Sequence, residues 1–512
     1  MALSTGTKNI NTAVFISGTG SNLKSLIKFS NLKKSPISIK MIISNNPKSK
    51  GLAFGKIYKI RKKVFNFNKQ TKTEKEILEL LKKRKINLIC LAGFMRILSK
   101  NFIQNFKGQI LNIHPSLLPK YKGLNTHERA IKNKDRYSGC TVHFVTAKLD
   151  SGKIICCYSK KNLDQLALLS PETGELEDLD LTYTSIGNLS LYSNRLLTVA
   201  SSPTLFPEII EIELSTKTIQ TIKTSTDLEL DQAYLSVPET IEFPTGVNAV
   251  AHGFYYPPIN QGFQGLDGET PPLIVMLHGG PTSATQAVLS FKTQYWTTRG
   301  FGVLDLNYRG STGYGRAYQD ELIRQWGIID VEDAVAGAEY LVRQQKADPL
   351  RLAIQGGSAG GYTTLAALTF ADTFKAGASL YGISDLEILA QETHKFESRY
   401  LDQLIGDYPE EKEVYQARSP INHLDQLSSP CIFFHGLEDQ VVPPNQAEMM
   451  VEALRTKGIP VAYVPFEKEQ HGFRIAKNIK RCLELELYFY ARIFGFQPAD
   501  PIEPIVIDNL EE

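Results

Sequence analysis

The hydrophobic pattern changes period at Ile155, and no single fold accommodates both sides of the change. Before it, apolar runs ("TAVFIS", "ISIKMIIS", "INLICLAG") alternate with amphipathic helix patterns ("NLKSLIKF", "EKEILELLKKRK"). Such alternation calls for a mainly parallel sheet covered by helices on both faces. From Cys157 the runs "DQLALLSPETGELEDL", "NRLLTVASS" and "EIIEIELSTKTIQTI" are separated by turn signals instead, the pattern of β-hairpins. At "ETPPLIVMLHGG" strand and helix patterns resume. The chain of 512 residues is therefore expected to be α/β at both ends with an all-β insert, in three segments: 1–155, 156–235 and 236–512.

Charge divides at the same place. Through Lys153 there are 31 basic and 6 acidic residues, and in the remainder 26 basic and 48 acidic, so the net +3 hides two opposed blocks. The lysines occupy ordinary helix and loop positions ("LKKRK", "IRKKV") without interleaved aromatics, which is a compositional bias and not a nucleic-acid surface. Cys90, Cys140, Cys156, Cys157, Cys431 and Cys482 form no C-x-x-C pair, so buried thiols in a reducing, cytoplasmic setting are expected. No stretch approaches the ~18 apolar residues of a membrane span, and the N-terminus lacks the signal-peptide pattern. Neither a nucleic-acid nor a membrane partner is expected, and with no H-E-x-x-H or Cys/His cluster, no metal.

In the first segment, "SGTGSN" follows a strand and opens a helix, so the N–H groups of Gly20, Ser21 and Asn22 can face an anion. Glycines in a tight turn need no ligand, so this loop alone decides nothing. In "LNIHPSLLPKYKGL", Asn112 and His114 stand two apart in an extended stretch and share a side. An amide donor beside an imidazole stabilises an oxyanion and moves a proton. Asp150, after "TVHFVTAKL", completes the set by orienting His114, although a capping Asn and a satisfied His would also account for the pair alone.

Together, "SGTGSNL", "LAGFMRILS", "LNIHPSLLPKYKGL" and "GCTVHFVTAKLDSGKII" resemble the glycinamide ribonucleotide formyltransferases. The resemblance implies a Rossmann-like domain in which Asn112 and His114 polarise a formyl group and handle protons while Asp150 relays the amine proton. It also implies that Gly20, Ser21 and Asn22 hold the ribose phosphate of glycinamide ribonucleotide. Met95, Arg96, Ile97 and Leu98 would line a pterin pocket for the co-substrate 10-formyltetrahydrofolate. That family continues past "DSGKII" into another strand and a closing helix, and this chain departs from it at Ile155.

The middle segment repeats its hairpins ("SPETGEL", "LSTKTIQ") about 45 residues apart, which fits roughly two four-stranded propeller blades. Two blades cannot close a ring, so this short β-propeller remnant is expected to be the least stable part.

In the last segment the strand "LAIQG" meets the helix "GYTTLAALTF" through Gly356-Gly357-Ser358-Ala359-Gly360, a G-x-S-x-G elbow. Such a turn lifts a serine Oγ above a sheet edge and sets the next N–H, here that of Ala359, where an oxyanion forms. An α/β-hydrolase then requires Asp and His in that order. Asp439 follows the strand "PCIFFHG" and His471 follows "VAYVPFE"; His435 and Glu438 are local competitors, and the spacing favours Asp439. "GGSAGG", "NYRGSTGYG", "HGLEDQVVP" and "QHGF" together resemble the prolyl oligopeptidase family, near its acylaminoacyl-peptidase and dipeptidyl-aminopeptidase members. The resemblance implies that Tyr314 adds an oxyanion donor. Phe396 and Tyr400, four apart on an expected helix, would line a pocket for the residue before the scissile bond, and core packing accounts for them equally well. The expected activity is hydrolysis of short peptides, acyl-peptides or esters without a cofactor. Formyl transfer to glycinamide ribonucleotide in purine synthesis is the alternative, a non-catalytic adaptor is a third reading, and oligomerisation is left open.

Overall fold

The computed structural model describes residues 10–33, 35–114, 132, 140–145, 154–170, 173–192, 194–392 and 399–511. It divides into two compact units, residues 1–159 with 164–181, and residues 160–163 with 182–512.

In the first unit, β1 (Ile10–Ile16), β2 (Ile37–Ser44), β3 (Arg61–Val64), β4 (Leu88–Leu91) and β5 (Gln109–His114) run parallel in the order β3-β2-β1-β4-β5. The pleat sends alternate residues of β1 to opposite faces. Ala13 and Phe15 join Ile77 and Leu81 of helix Gln70–Lys83, while Val14 and Ile16 join Leu23 and Ile27 of helix Ser21–Ser30. The strand order reverses between β1 and β4, the crevice where ligands of such sheets collect.

Antiparallel strands extend this sheet. β6 (Cys140–Phe144) pairs with β5, β7 (Ile154–Lys160) pairs with β6, and β8 (Leu163–Leu169) and β9 (Leu176–Leu179) complete the order β5-β6-β7-β8-β9. The expected break at 155 is therefore not where the compact units part. The open edge of β6 offers unpaired backbone groups, and the apolar run at Ile154, Ile155 and Cys156 pairs there and is buried. Instead of two blades, the middle segment contributes these three strands to the first sheet and one four-stranded meander to the second unit. The meander runs through β10 (Ser185–Tyr192), β11 (Arg195–Ser202), β12 (Leu205–Glu213) and β13 (Thr218–Thr224).

The second unit is built on β14 (Glu239–Thr245), β15 (Ala249–Tyr256), β16 (Leu273–Leu277), β17 (Gly302–Asn307), β18 (Leu352–Gly357), β19 (Ala376–Leu380), β20 (Cys431–Gly436) and β21 (Val461–Phe466). Their order is β14-β15-β17-β16-β18-β19-β20-β21, parallel from β17 onward, the expected α/β-hydrolase sheet. One face packs Trp326 and helices Ile329–Arg343 and Ala359–Phe370; the other packs Trp296 and helix Ala476–Phe494. Helix Ala359–Phe370 is buried nearly all round, which its small and apolar residues allow because the hydroxyls of Thr363, Thr364 and Thr369 bond carbonyls of the preceding turn. Cys90, Cys156, Cys431 and Cys482 are buried, and burial pushes the Cys90 thiol up to about 12. Among the described residues no helix is long and apolar enough to cross a membrane, and no His/Cys/Asp/Glu group is arranged to hold a metal ion.

Two carboxylates, the buried Glu486 and the half-buried Asp305, sit on the second face of this sheet. Asp305 accepts from the Thr285 hydroxyl and Glu486 accepts from the Tyr490 hydroxyl at 3.1 Å. Burial pushes Asp305 up to about 6 and Glu486 up to about 7. A carboxyl raised on folding holds its proton more tightly in the folded chain, so its favourable contribution is full below the unfolded value and fades as pH rises through the folded one. Replacing Glu486→Gln is therefore expected to leave stability near that of the parent at pH 4.5. By pH 8 the variant should be more stable by up to about 3 kcal/mol, read from urea unfolding of the second unit.

Candidate active site

Ser358 occupies the single residue between β18 and helix Ala359–Phe370, at φ 56 and ψ −121. A non-glycine residue there is strained and persists only when its surroundings enforce it. The enforcement comes from backbone contact: a Cβ on Gly356 would lie 2.4 Å from Gly360, and a Cβ on Gly360 would lie 2.5 Å from the Leu277 carbonyl oxygen. The Ser358 N–H donates to the Leu380 carbonyl at 3.0 Å, tying the turn to β19.

The structure brings the expected three residues together. His471 Nε2 lies 2.9 Å from Ser358 Oγ, and His471 Nδ1 lies 2.8 Å from Asp439 Oδ2. The other carboxylate oxygen of Asp439 accepts the N–H groups of Val441 at 2.9 Å and Val442 at 3.0 Å. Burial alone would raise the Asp439 carboxyl, but the bonds from His471 and Val442 outweigh it and hold the group below its usual range. Of the competitors, His435 is fully buried and donates from Nε2 to the Val442 carbonyl at 2.9 Å, closing the loop that carries Asp439. Glu438 uses its N–H on the Glu469 carbonyl.

On the other side of Ser358 lies the loop after β16, a neighbour the sequence reading passed over. A Cβ built on Gly279 would stand 3.5 Å from Ser358 Cβ, so this backbone borders the nucleophile beside the N–H of Ala359. The glycine run in "LHGGP" directly after an apolar strand was the available signal, since a second oxyanion donor in such folds comes from that loop. The Tyr314 hydroxyl accepts from the Asn307 amide at 3.1 Å, and its ring stacks 4.3 Å from that of His252 on β15. Tyr400, at the start of helix Tyr400–Leu404, pairs its hydroxyl with that of Thr282 at 2.6 Å, on the same glycine loop; Phe396 lies outside the described residues. Tyr381, at φ 40, was also not foreseen; its ring lies 5.0 Å from that of His471, and a Cβ on Gly357 would meet it at 2.9 Å.

Buried carboxylates anchor the parts. Asp330 accepts the Gly327 N–H at 2.6 Å and the Thr363 hydroxyl at 2.5 Å, fastening the nucleophile helix to its neighbour. Asp333 accepts the Arg309 backbone N–H at 2.6 Å and its guanidinium at 2.7 Å, holding the start of "RGSTGYG". His278 reaches Ser311 in that loop at 2.8 Å. Burial pulls its imidazole down to about 4, so the ring is neutral at ordinary pH.

In the first unit, Asn112 and His114 sit on β5 and share a side, opposite His143 and Thr141 of β6. Asp150 lies outside the described residues. Gly20, at φ +80, opens helix Ser21–Ser30 against Gly51, where a Cβ would meet the Gly51 Cα at 2.7 Å, and Ser21 and Asn22 are exposed. Met95, Arg96 and Ile97 are exposed after β4, whereas Leu98 is buried in the core with Phe94 and Phe102. The loops after β1 and β4 thus meet at the strand-order reversal, where the Met95 N–H donates to Ser17 Oγ at 2.7 Å.

The loop carrying His471 depends on Glu469. This buried carboxylate accepts from the Arg474 N–H at 3.0 Å, the Ile475 N–H at 2.9 Å and the Asn478 amide at 3.0 Å. Glu469→Ala strands those donors, and we expect a loss of about 3 kcal/mol or more in stability together with slower phosphonylation of Ser358 by a fluorophosphonate probe. Probe kinetics equal to those of the parent would show that the loop holds without it.

Comparison with known proteins follows the same division. The formyl transferase family model matches residues 10–162, ending with β7, and the prolyl oligopeptidase family model matches residues 287–497. The phosphoribosylglycinamide formyltransferase of Haemophilus influenzae is 44% identical over 146 residues, which are 28% of this chain and 69% of that protein. Dipeptidyl aminopeptidase BIII of Pseudoxanthomonas mexicana is 32% identical over 237 residues, 45% of this chain and 34% of that protein. The chain thus spans about a third of the length of the curated peptidases it first matches. The solved structure of a puromycin-hydrolyzing peptidase from Mycobacterium tuberculosis is 38% identical with a TM-score of 0.67, covering 73% of this chain and 62% of that one. The chain accordingly belongs to the formyltransferase family through its first unit and carries a prolyl oligopeptidase-family peptidase domain in its second.

Proposed function

We propose that the second unit hydrolyses short peptide, acyl-peptide or ester substrates through Ser358. The observation that carries this reading is the continuous chain of hydrogen bonds from Ser358 through His471 to Asp439. Removal of the serine proton by His471 leaves an alkoxide able to attack a carbonyl, and His471 returns the proton to the leaving amine. Asp439, its second oxygen saturated by two backbone N–H groups, fixes the imidazole tautomer and offsets its positive charge. The oxyanion is assigned to the N–H of Ala359 together with an N–H of the Gly279 loop. The dipeptidyl aminopeptidase and puromycin-hydrolyzing relatives support small aminoacyl substrates, and no cofactor enters the chemistry. With one four-stranded meander in place of a full ring, longer peptides are expected to be admitted too.

Ser358→Ala should abolish both fluorophosphonate labelling and hydrolysis of aminoacyl chromogenic substrates, and Asp439→Asn should lower kcat by about 10⁴. Tyr314→Phe discriminates the oxyanion donors. A change of less than about tenfold fits its bond to Asn307, while a loss of 10²–10³ would place its hydroxyl on the oxyanion. Labelling that persists in Ser358→Ala would refute the assignment.

A second reading, formyl transfer from 10-formyltetrahydrofolate to glycinamide ribonucleotide, rests on Asn112 and His114 sharing a side of β5 at the carboxyl end of the sheet. The exposed Met95 and Ile97 offer apolar surface for a flat ring, and the exposed helix start at Ser21 and Asn22 suits a phosphate. Nearly a third of the Haemophilus protein lies outside the match, so the catalytic pair lacks part of the packing that holds its counterpart. Small misplacements cost about 10²-fold, and turnover is expected to fall short of a full-length formyltransferase by at least that factor. A direct formyl-transfer assay with His114→Ala as control checks this: full turnover, lost in the control, would mean that β7, β8 and β9 substitute for the missing elements.

A further inference from the structure

The turn between β7 and β8 consists of Lys161 and Asn162, both at positive φ (51 and 57), the two-residue hairpin geometry that favours asparagine or glycine. Lys161 remains exposed and lies 3.5 Å from Glu242. Asn162 does not follow the usual fate of a turn residue: it is 6% exposed. Residues 160–163 cluster with the hydrolase unit, and the surroundings of Asn162 are hydrolase residues. Its amide donates to the Thr285 carbonyl. Its side chain also presses on Gly313, where a Cβ would meet Asn162 Oδ1 at 2.2 Å, so that position takes glycine for steric reasons as well as for its φ of +91.

The first contact falls on the loop that borders the nucleophile: Thr285 lies on the loop after β16, which passes beside Ser358 at Gly279, while Gly313 precedes Tyr314 on the loop after β17. The Thr285 carbonyl receives a second donor, the Asn307 amide at 3.2 Å, while the Thr285 N–H returns to Asn307 Oδ1 at 2.8 Å. A carbonyl has two lone pairs, and here both are used. The Thr312 N–H donates to the Ser283 carbonyl at 2.9 Å, joining the two loops directly. Asn307 grips this pair of loops from the end of β17, and Asn162 closes it from outside the sheet.

We infer that Asn162 is a positioning residue of the hydrolase site. By saturating the Thr285 carbonyl and closing on Gly313, it sets the loop whose backbone borders Ser358, and so the donor geometry that binds the oxyanion. The inference rests on the hydrolase reading above. An interaction expressed on the oxyanion acts on turnover and not on ground-state binding. Asn162→Gly isolates the amide, because glycine adopts the same left-handed turn without strain. Asn162→Asp keeps the turn and directs a carboxylate at the Thr285 carbonyl.

The full chain carrying each change is assayed on an aminoacyl chromogenic substrate and titrated with a peptide boronic acid, which forms a tetrahedral adduct on the serine. Ser358→Ala gives the background, and thermal unfolding monitors the fold. Asn162→Gly is expected to lower kcat about tenfold with KM changed less than about twofold, and to weaken the boronate in step, with Asn162→Asp at least as impaired. Turnover and boronate affinity in Asn162→Gly within about twofold of an active parent would overturn the inference alone, even if the unfolding temperature fell. A parent without Ser358-dependent hydrolysis would remove the hydrolase reading, and the inference with it.

Discussion

The turn at Ser358 is possible only because several backbones come closer than side chains permit. Gly356 meets Gly360, Gly360 lies against the Leu277 carbonyl, and Gly361 packs on Gly382, so β16, β18 and β19 are all referenced to one strained residue. The parallel part of the sheet, from β17 onward, sets its carboxyl ends on one side and does the rest. The loops after β20 and β21 carry Asp439 and His471, and the loop after β16 carries Gly279, each displaced from Ser358 by a known number of strands. A Cβ on Gly436 would meet the Glu469 carbonyl oxygen at 2.5 Å, so glycine is required there too, for the acid and base loops to approach.

The carboxylates inside this unit differ in how fully they are bonded. Asp333, Asp439 and Glu469 each accept three or more hydrogen bonds, Asp439 and Glu469 chiefly from backbone N–H groups and Asp333 chiefly from the Arg309 guanidinium and the Thr245 hydroxyl. Such bonds hold Asp439 and Glu469 below the usual carboxylate range despite burial, whereas at Asp333 burial still raises the group. Asp305 and Glu486, with one side-chain hydrogen bond each, are pushed up to about 6 and about 7, and Asp330 beside the nucleophile helix is likewise pushed up to about 6.

The order of Ser, Asp and His was legible because each follows its own apolar strand, and a strand end is a local feature of the chain. Gly279 was signalled only by the glycine run after its strand; its proximity to Ser358 arises from the crossover that sets β16 beside β18. Tyr314 illustrates the converse. Its motif was legible, but the direction of its hydroxyl follows from stacking on His252 of β15 and from Asn307 of β17, both remote in sequence. Likewise "MRIL" reads as one apolar lining, yet the chain twists between Ile97 and Leu98 and buries only the second. The two α/β sheets and the hairpin insert were anticipated; which sheet the hairpins join was not.

That last difference has a general cause. Hydrogen bonding along a sheet edge uses backbone groups that are the same for every sequence, so an edge such as β6 accepts any following strand of suitable length and register. Side chains then decide only whether the addition is buried well. In β7 the residues nearest the junction, Ile154, Ile155 and Cys156, are all buried, and Ile154 and Cys156 pack with Leu169 of β8. Segments with opposite charge bias and different periodicity can therefore share one sheet without sharing an ancestry in their patterns. Backbone pairing in the first sheet runs on to Leu179, well past the residue where the composition changes.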